Sequence, residues 1–330
     1  NSVSFDSAKL TDSKFSGLKA SRGAPISDNH YSGTFEVSEI EVSNITGMYC
    51  FIRGSYSTQE VNLDISRAFF DKCLCTKAIL NFESWESTSR VQLTDMQVAN
   101  SYQGIRVENM ALSASSLAFR NCSRALTAVE GGYLSAENLL FEENTDVSVS
   151  VHTDSTVECS GCTFLKNSGS SSLFVDKDSK VNLTECTFEG NSVDRTGSVA
   201  IFQTNQQFSE IRNSVIKNNN AADGYTMYLQ NSKLKLSNCS FKSNTANKMS
   251  PGVLLSSAEL IVENSEFSEQ TGDSGSFIIP NSLSEVEIRS SSFSQGTAKD
   301  SGGAISSSSS TVKVYESAFK DLQAASGGSV

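Results

Sequence analysis

Three short stretches of the chain are nearly identical: "CTFLKNS" at Cys162–Ser168, "CTFEGNS" at Cys186–Ser192 and "CSFKSNT" at Cys239–Thr245. A cysteine, an aromatic residue and an asparagine at fixed offsets could form a metal or catalytic motif, or they could belong to a structural repeat. The phenylalanine decides between these readings, because an apolar residue recurs in its place along the whole chain.

We use this phenylalanine as an anchor and follow it in both directions. The anchors are spaced by 22–30 residues. They are Phe15, Ile45, Phe70, Met96, Phe119, Phe141, Phe164, Phe188, Ile216, Phe241, Phe267, Phe293 and Phe319. The sequence therefore predicts thirteen repeat units that cover the chain from end to end.

Each anchor is preceded by an alternating pattern. The residue five positions earlier is apolar in every unit, and the residue six positions earlier is polar in all units but one. This alternation is typical of a strand with one buried face. Several units add a second apolar stretch after a glycine, as in "GSVAIF" at Gly197–Phe202. One unit thus holds two or three short strands and leaves no room for a helix.

A strand-only repeat of about 25 residues is typical of a parallel β-helix, in which each unit forms one rung of a coil. The predicted fold class is all-β: a single right-handed parallel β-helix, or solenoid, of about 13 rungs. Right-handedness is expected from the usual hand of parallel connections. We expect one domain over residues 1–330, with a loop insertion at 21–33.

The units resemble the repeats of chlamydial polymorphic outer membrane proteins, which combine F-x-x-N with G-G-A-[ILV]. F-x-x-N occurs at Phe141, Phe164, Phe188 and Phe241, and "GGAI" occurs at Gly302–Ile305. The resemblance implies a right-handed β-helix of the pectin-lyase type in a cell-surface or secreted protein. Four N-x-S/T sequons are equally typical of a secreted eukaryotic protein.

Composition and charge restrict the partners. The 330 residues carry a formal net charge of −11, which argues against nucleic acid or an anionic membrane surface as the main partner. No apolar run approaches the ~18 residues of a membrane span, so no membrane insertion is expected within this segment. The sequence predicts an extracellular or cell-surface location.

The cysteines do not fit zinc templates. Cys73 and Cys75 are too close together, and no second pair completes a site with Cys159 and Cys162. Stacked rungs place Cα atoms ~4.8 Å apart, within the range of a disulfide. The two cysteines of each pair lie at the same offset from the anchors of neighbouring units, which predicts the bridges Cys162–Cys186 and Cys50–Cys75. Free buried thiols are the alternative. Cys239 has a serine on each side in its column and is expected to be unpaired.

Two sets of asparagines stand out. One set lies three residues after an anchor, where we expect the amides to bond to one another at a turn: Asn144, Asn167, Asn191, Asn219 and Asn244. The other set consists of the asparagines of the four sequons. Counted from the nearest anchor, none of them falls on a position that we expect to be buried. The N-glycosylation candidates are Asn44, Asn121, Asn182 and Asn238.

Catalytic candidates are sparse. A lyase of this fold needs clustered carboxylates for Ca²⁺ and a basic residue, and a hydrolase needs paired carboxylates. Asp176 and Asp178 lie close in sequence but fit a solvated turn, and "HTD" at His152–Asp154 lacks a nucleophile partner. We therefore expect no catalytic centre, no metal and no cofactor.

The functional hypotheses follow from the repeat and its ends. The pattern begins by Leu10 and is still running at "GGSV", Gly327–Val330. We expect either a segment of a longer chain or self-association end to end into a filament. The first hypothesis is a secreted or surface structural protein that forms a filament, a coat or an extracellular spacer. The alternatives are an adhesin or carbohydrate-binding protein and, less favoured, a polysaccharide lyase or hydrolase.

Overall fold

The computed structural model describes residues 7–20, 26–28, 33–55, 61–83, 89–193, 197–246, 250–273 and 277–327. Every helix or strand element in these ranges is a β-strand. The chain divides into two compact units, Asn1–Cys159 and Ser160–Val330. The predicted all-β architecture is confirmed, and each unit is described by itself below.

The first unit contains strands β1 to β16 and β17 up to Cys159. They are β1 (Ser7–Ser16), β2 (Lys19–Ala20), β3 (Ile26–Asp28), β4 (Gly33–Ser43), β5 (Thr46–Ser55), β6 (Val61–Asp71), β7 (Leu74–Glu83), β8 (Arg90–Thr94), β9 (Gln97–Ala99), β10 (Gln103–Glu108), β11 (Ala111–Ser115), β12 (Ala118–Arg120), β13 (Arg124–Val129), β14 (Tyr133–Glu137), β15 (Leu140–Glu142), β16 (Val147–Val151) and β17 (Thr156–Ser160).

The second unit contains strands β18 to β39. They are β18 (Thr163–Leu165), β19 (Ser168–Gly169), β20 (Ser171–Asp176), β21 (Lys180–Thr184), β22 (Thr187–Glu189), β23 (Ser192–Val193), β24 (Ala200–Arg212), β25 (Val215–Lys217), β26 (Asn220–Ala221), β27 (Met227–Ser237), β28 (Ser240–Lys242), β29 (Thr245–Ala246), β30 (Val253–Ser256), β31 (Glu259–Glu263), β32 (Glu266–Ser268), β33 (Thr271–Gly272), β34 (Ile278–Asn281), β35 (Glu285–Arg289), β36 (Ser292–Ser294), β37 (Thr297–Ala298), β38 (Thr311–Tyr315) and β39 (Ala318–Lys320).

In the first unit one repeat consists of three strands, which we name A, B and C in chain order. In the second unit a short strand between B and C is added, and these short strands form a separate six-stranded ladder of β19, β23, β26, β29, β33 and β37. In the first unit β8, β9 and β10 form such a set, and each pairs in parallel with the equivalent strand of the next repeat, β11, β12 and β13. In the second unit β31 and β32 are A and B strands and pair with β35 and β36. The C strands β20, β30 and β34 belong to one further ladder, in which the long strands β24 and β27 run from C into A.

The B strands carry the stacked anchors. In the first unit the register aligns Phe15, Val42, Phe70, Val98, Phe119 and Phe141. In the second unit it aligns Phe164, Phe188, Ile216, Phe241, Phe267, Phe293 and Phe319. Two predicted anchors, Ile45 and Met96, were therefore wrong, since Val42 and Val98 occupy those places. Ile45 and Met96 are also buried, but at the corners beside the B strands, where an apolar side chain imitates an anchor.

Stacked phenylalanines fill the interior of each unit. The rings of Phe119 and Phe141 lie 5.3 Å apart and nearly parallel. Those of Phe164 and Phe188 lie 4.4 Å apart, and Phe267 and Phe293 lie 4.9 Å apart. Burying one such ring contributes roughly 1.5–3 kcal/mol, and a stacked pair adds about 0.5–1.5 kcal/mol. The column is therefore a repeated source of stability and explains why the anchors are mostly phenylalanine.

Single residues with left-handed backbone make the corners on both sides of the B strand. Asn138 (φ 55°) stands between A and B, and Asn121 (φ 51°) stands between B and C. Lys166 (φ 52°) occupies the second corner in another repeat. Asparagine adopts this conformation at low cost, whereas lysine adopts it at a higher cost. A one-residue corner turns the chain sharply and sends the following side chain into the interior.

The predicted insertion at 21–33 lies mostly outside the described residues. Its described part includes β3, which pairs in parallel with β5.

Candidate functional site

A cluster of charged side chains lies on the outer face of the C strands of the first unit. Arg53 on β5 pairs in register with Asn81 on β7, which pairs with Arg106 on β10. In the adjacent outward column Glu83 pairs with Glu108. The parallel register thus brings two arginines and two glutamates from three different repeats together.

Glu83 is at the centre of this cluster. Its Oε1 accepts a hydrogen bond from Asn81 Nδ2 at 2.7 Å and lies 3.4 Å from Arg106 Nη1. Arg106 Nη1 also contacts Glu108 and lies 3.4 Å from Asn81 Oδ1. The side chains of Glu83 and Glu108 are only 12% and 14% exposed. Each carboxylate is therefore largely removed from water and is compensated by a shared guanidinium.

Tyr49 completes the cluster from β5. The guanidinium carbon of Arg53 lies 4.8 Å from the centroid of its ring, in a cation–π contact. Burial, and then the charge of Glu83, raise the pKa of the Tyr49 phenol. Tyr49 therefore stays a protonated donor beside Glu83 at neutral pH.

The two arginines are not equally occupied. Arg106 contacts three acceptor groups, whereas Arg53 Nη2 lies 3.9 Å from Glu83 Oε2, beyond hydrogen-bond range. Among the described residues, Arg53 Nε is buried and has no hydrogen-bond partner. Sequence reasoning missed this cluster because its contacts between neighbouring repeats join residues 23 to 30 positions apart, which come together only in the correct register.

The C strands of the second unit have a different outer face. Their outward column reads Phe174, Ile201, Tyr228, Leu254 and Ile279. The next outward column contains Gln203 and Gln230, whose side-chain amides lie 3.3 Å apart. Tyr225 packs beside Tyr228 with 6.4 Å between ring centroids. Ile201 and Ile279 are buried in this column, whereas Phe174, Tyr228 and Leu254 are half-buried. The accessible part of this face therefore combines aromatic and apolar surface with amide groups.

The asparagines after the B–C corner form a continuous buried ladder in the second unit. Oδ1 of Asn219 accepts hydrogen bonds from the backbone N of Asn191 at 3.0 Å and from its Nδ2 at 2.9 Å. Nδ2 of Asn219 donates to the carbonyl of Phe188 at 3.1 Å and to Asn244 Oδ1 at 2.9 Å. Both donors and both acceptor sites of the amide are used. The predicted bonding between asparagines is confirmed, although the left-handed residue is the one that precedes each asparagine.

Serine and cysteine have the same role at the A–B corner. The backbone N of Cys186 donates to Ser214 Oγ at 3.0 Å, and that of Cys239 donates to Ser265 Oγ at 3.1 Å. Ser214 Oγ in turn donates to the carbonyl of Arg212 at 2.7 Å. The corner N–H lacks a ladder partner, so a side chain of the next repeat accepts its hydrogen bond.

The disulfide pairing of the cysteines agrees with the sequence prediction for one bridge and differs from it for the other. Cys50 and Cys75 are joined by a disulfide with 5.6 Å between Cα atoms, as expected. Across the ladder, however, Cys75 faces Gly47, and the pairing slips beyond that residue. The bridge therefore spans an irregularity rather than two matched positions.

The predicted Cys162–Cys186 bridge is wrong. Cys162 and Cys159 are each disulfide-bonded, while Cys186 carries a thiol. The Cys186 sulfur accepts the backbone N–H of Cys162 and contacts the carbonyl of Thr184 at 3.3 Å. It therefore takes the corner role that serine has elsewhere. Burial raises the pKa of this thiol to about 11.

The other thiols are buried as well. Burial raises the pKa of Cys122 and Cys239 to about 11 and that of Cys73 to about 12. These groups remain protonated at neutral pH, which disfavours nucleophilic or metal-binding roles. Cys239 is an unpaired cysteine, as predicted.

The sequon asparagines face outward to different degrees. Asn44, Asn121 and Asn238 are exposed at left-handed corners, and Asn182 is half-buried on β21. Correcting the anchor places Asn44 two residues after Val42, at the B–C corner. The Asn121 side chain donates to Asn100 Oδ1 at 2.8 Å, and that of Asn238 donates to Asn213 Oδ1 at 3.2 Å. Glycosylation of these residues stays a prediction.

The acidic turn candidates have structural contacts. Asp178 has left-handed backbone (φ 60°) and accepts a hydrogen bond from the backbone N of Gln206 at 3.1 Å. Asp154 likewise has left-handed backbone (φ 58°). Within the described ranges, no group of three or more metal-ligating side chains comes together. No helix in the part of the chain that the structure describes is long and apolar enough to cross a membrane.

The comparisons with known proteins agree with this architecture. A solved structure, the periplasmic alginate epimerase AlgG, superposes with a TM-score of 0.57 at 8% sequence identity. The match covers 88% of this chain and 76% of that one, and at this identity it shows the fold alone. The comparison with curated proteins gave no match. The sequence matches the family described as the right-handed β-helix region over residues 2–209 and 196–319. The chain belongs to the right-handed β-helix family.

Proposed function

We propose that the protein is a secreted or cell-surface structural β-helix without catalytic activity, which serves as a filament, coat or extracellular spacer. One observation carries this proposal: the recurring polar residues of the motif bond from repeat to repeat. Asn191 and Asn219 use their amides on each other and on backbone groups, and Ser214 and Ser265 accept corner N–H groups. Side chains committed in this way hold the coil together and are not available for chemistry.

End-to-end association between copies is the mode of assembly that we propose. On the last described A strand, β38, Val314 is 40% exposed, whereas its ladder neighbour Ile288 is fully buried. Phe319 stacks on Phe293 with 5.0 Å between ring centroids. A second copy that continues these columns would bury the same apolar groups that each repeat buries against the next.

Electron microscopy and sedimentation of the purified protein test this proposal. We expect rods that lengthen as the protein concentration rises. Val314→Asp should prevent the lengthening, because it places a charge on the stacking edge. Val215→Asp is the matched control, since Val215 is similarly exposed (37%) but lies on the outer side of β25. Particles of one constant length at all concentrations would contradict the filament.

Carbohydrate binding is the second candidate, and the outer face of the C strands in the second unit favours it. Phe174 and Tyr228 are two ladder steps apart in one outward column, at a distance of roughly 9.6 Å. Beside them the amides of Gln203 and Gln230 provide donors and acceptors. Aromatic surface with adjacent amides suits a sugar ring, which has apolar faces and hydroxyl edges.

A glycan-binding screen with Tyr228→Ala tests this second candidate. We expect at least tenfold weaker binding, because the variant removes a ring from the apolar column. Tyr102→Ala is the control, since Tyr102 is an exposed tyrosine of the first unit. Equal losses in both variants, or no binding by the wild type, would remove this candidate.

A further inference from the structure

We propose that the outer face of the C strands in the second unit binds an extended, uncharged glycan chain that lies along the direction of the ladder. This inference rests on the carbohydrate-binding candidate above and names its class of glycan. It is carried by the near absence of charge from one face of a chain in which 19% of the residues are charged.

The C strands of the second unit are almost free of charged residues. Their stretches of sequence are 171–176, 200–205, 227–232, 253–256 and 278–281. These described stretches contain Asp176 as their one charged residue, and they contain no lysine, arginine or histidine. Charges return where the chain continues into the A strands, because Lys233 and Lys235 pair there with Glu259 and Glu263. The lack of charge is therefore a property of this face.

A column of uncharged hydrogen-bonding groups runs along the same face. Gln203, Gln230, Ser256 and Asn281 follow one another at successive steps of the ladder. Nε2 of Gln203 donates to Oε1 of Gln230 at 3.3 Å. Within the described ranges, this leaves Oε1 of Gln203 and Nε2 of Gln230 without a protein partner. A sugar hydroxyl both donates and accepts, so vicinal hydroxyls can bond to both groups.

Half-buried apolar side chains form a strip beside this column. Its accessible members are Phe174, Tyr228 and Leu254, which span three ladder steps, or about 14 Å. Burial raises the pKa of the Tyr228 phenol, so this ring stays uncharged at neutral pH. The faces of sugar rings can pack on the strip while their hydroxyl edges reach the amides. Because both columns run along the ladder, an extended chain matches them better than a single sugar does.

A charged polysaccharide fits this face poorly. A chain of uronates or sulfated sugars would bring anionic groups against half-buried surface where the C-strand stretches offer no cation. An ion that loses water without gaining a partner of opposite charge is strongly disfavoured. Asp176 and the net charge of −11 add repulsion. An uncharged chain meets neither obstacle.

Calorimetric titration of the whole chain tests the class of glycan. The probes are cellohexaose and mannohexaose as uncharged chains, their disaccharides, and hexagalacturonate as an acidic chain. We expect saturable binding of at least one uncharged hexasaccharide, unchanged by added sodium chloride. Its disaccharide should bind more weakly, because it covers only part of the strip. Hexagalacturonate should bind at least about tenfold more weakly, because like charges repel.

The titration separates this inference from the candidate on which it rests. Equal or tighter binding of hexagalacturonate would overturn the inference and leave carbohydrate binding in place. Equal affinity for the disaccharide and the hexasaccharide would overturn the extended chain. Failure of every probe to bind would remove the inference together with the carbohydrate-binding candidate.

A variant of the amide column then places the selectivity on this face. Gln230→Lys should weaken binding of the uncharged chain several-fold and strengthen binding of hexagalacturonate, because the ammonium supplies a cation that the face lacks. Gln97→Lys is the matched control, since Gln97 is exposed on β9 of the first unit, and its affinities should be those of the wild type. Melting temperature checks folding, and Gln203→Lys is used if Gln230→Lys does not fold. Equal changes in the column variant and the control, or no change in the folded column variant, would overturn the proposal.

Discussion

The B–C corner is built differently in the two units. In the first unit the inward residues after this corner include Cys73, Ser101 and Cys122, and also Asn144, whose Oδ1 accepts the backbone N–H of Cys122 at 2.9 Å. In the second unit they include Asn191 and Asn219 in a continuous amide ladder. A thiol or hydroxyl has one donor and accepts the corner N–H, whereas an amide also bonds along the column. Both units therefore place an acceptor for the N–H at this corner, and asparagine adds hydrogen bonds along the column.

Removing one amide from the ladder should have the largest effect. Asn219→Ala leaves the backbone N and Nδ2 of Asn191 and the carbonyl of Phe188 without these partners in a buried site. Each unsatisfied buried group costs about 1–3 kcal/mol, so we expect a loss of about 3 kcal/mol or more in unfolding free energy. Urea denaturation measures this loss.

The neighbouring asparagine provides the control for that experiment. Asn220 is half-buried at the start of β26, and its side-chain oxygen accepts from the Thr245 hydroxyl at 3.3 Å. Asn220→Ala should change the unfolding free energy by about 0.5 kcal/mol or less. A loss as large as that of Asn219→Ala would show that the position in the ladder is unimportant.

The thiol corner of the first unit should tolerate serine but not alanine. Cys122 Sγ accepts the backbone N–H of Ser101 and contacts the carbonyl of Arg120 at 3.4 Å. Cys122→Ala leaves that N–H unsatisfied and should cost about 1–3 kcal/mol, whereas Cys122→Ser keeps an acceptor and should cost less. Thermal unfolding of the two variants checks this order. If alanine is the less damaging substitution, the thiol is only a small apolar filler.

Extending the amide ladder should stabilise the second unit. Gln270 follows Asn244 in the column and is fully buried, yet within the described ranges its Oε1 and Nε2 have no hydrogen-bond partners. Its extra methylene group displaces the amide from the position that asparagine takes. Gln270→Asn should raise the unfolding free energy by about 1 kcal/mol. Gln270→Leu tests the alternative that any well-packed residue helps, and an equal gain in that variant would refute the ladder explanation.

The outer ion pairs should show a pH dependence that the interior columns lack. Hydrogen bonding and the charge of Lys313 lower the pKa of Glu285. A carboxyl with a lowered folded-state pKa stabilises the protein above its ordinary pKa, and this contribution is lost as the pH falls through the folded value. We expect Glu285→Gln to lower the melting temperature slightly at pH 7 and the difference to vanish near pH 3. For Asn219→Ala the difference in melting temperature from the wild type should persist at both pH values. If that difference also vanished near pH 3, the ladder would not be the source of the pH-independent stability.

Much of the fold could be predicted from the sequence because one residue type dominates one column. Phenylalanine recurs on the B strands, and its spacing indicates the length of a repeat. The alternation of apolar and polar residues before each phenylalanine indicates the strands. The prediction was wrong at Ile45 and Met96. These apolar residues lie at corners, and the anchors of those repeats are the nearby valines Val42 and Val98. Aliphatic residues in both places carry no signal that distinguishes a strand position from a corner position.

The candidate site could not be predicted in the same way. Arg53, Glu83 and Arg106 come from different repeats, and their contact depends on loops of unequal length and on the slipped pairing after Gly47. The Cys162–Cys186 bridge was predicted from matching phase, but phase specifies only which residues stack. It does not show that Cys186 binds a backbone N–H instead. Side-chain chemistry at equivalent positions therefore has to be read from the structure.

Hydrogen exchange at the corner amides measures whether the asparagine ladder protects the backbone of each corner. The backbone N–H groups of Asn167, Asn191 and Asn219 each donate to the amide oxygen of the next asparagine, at 3.0 Å. We expect these three N–H groups to exchange as slowly as those of the B strands, and we expect Asn219→Ala to accelerate exchange at Asn191 most strongly. Rapid exchange of these groups in the wild type, as in an exposed turn, would contradict this expectation.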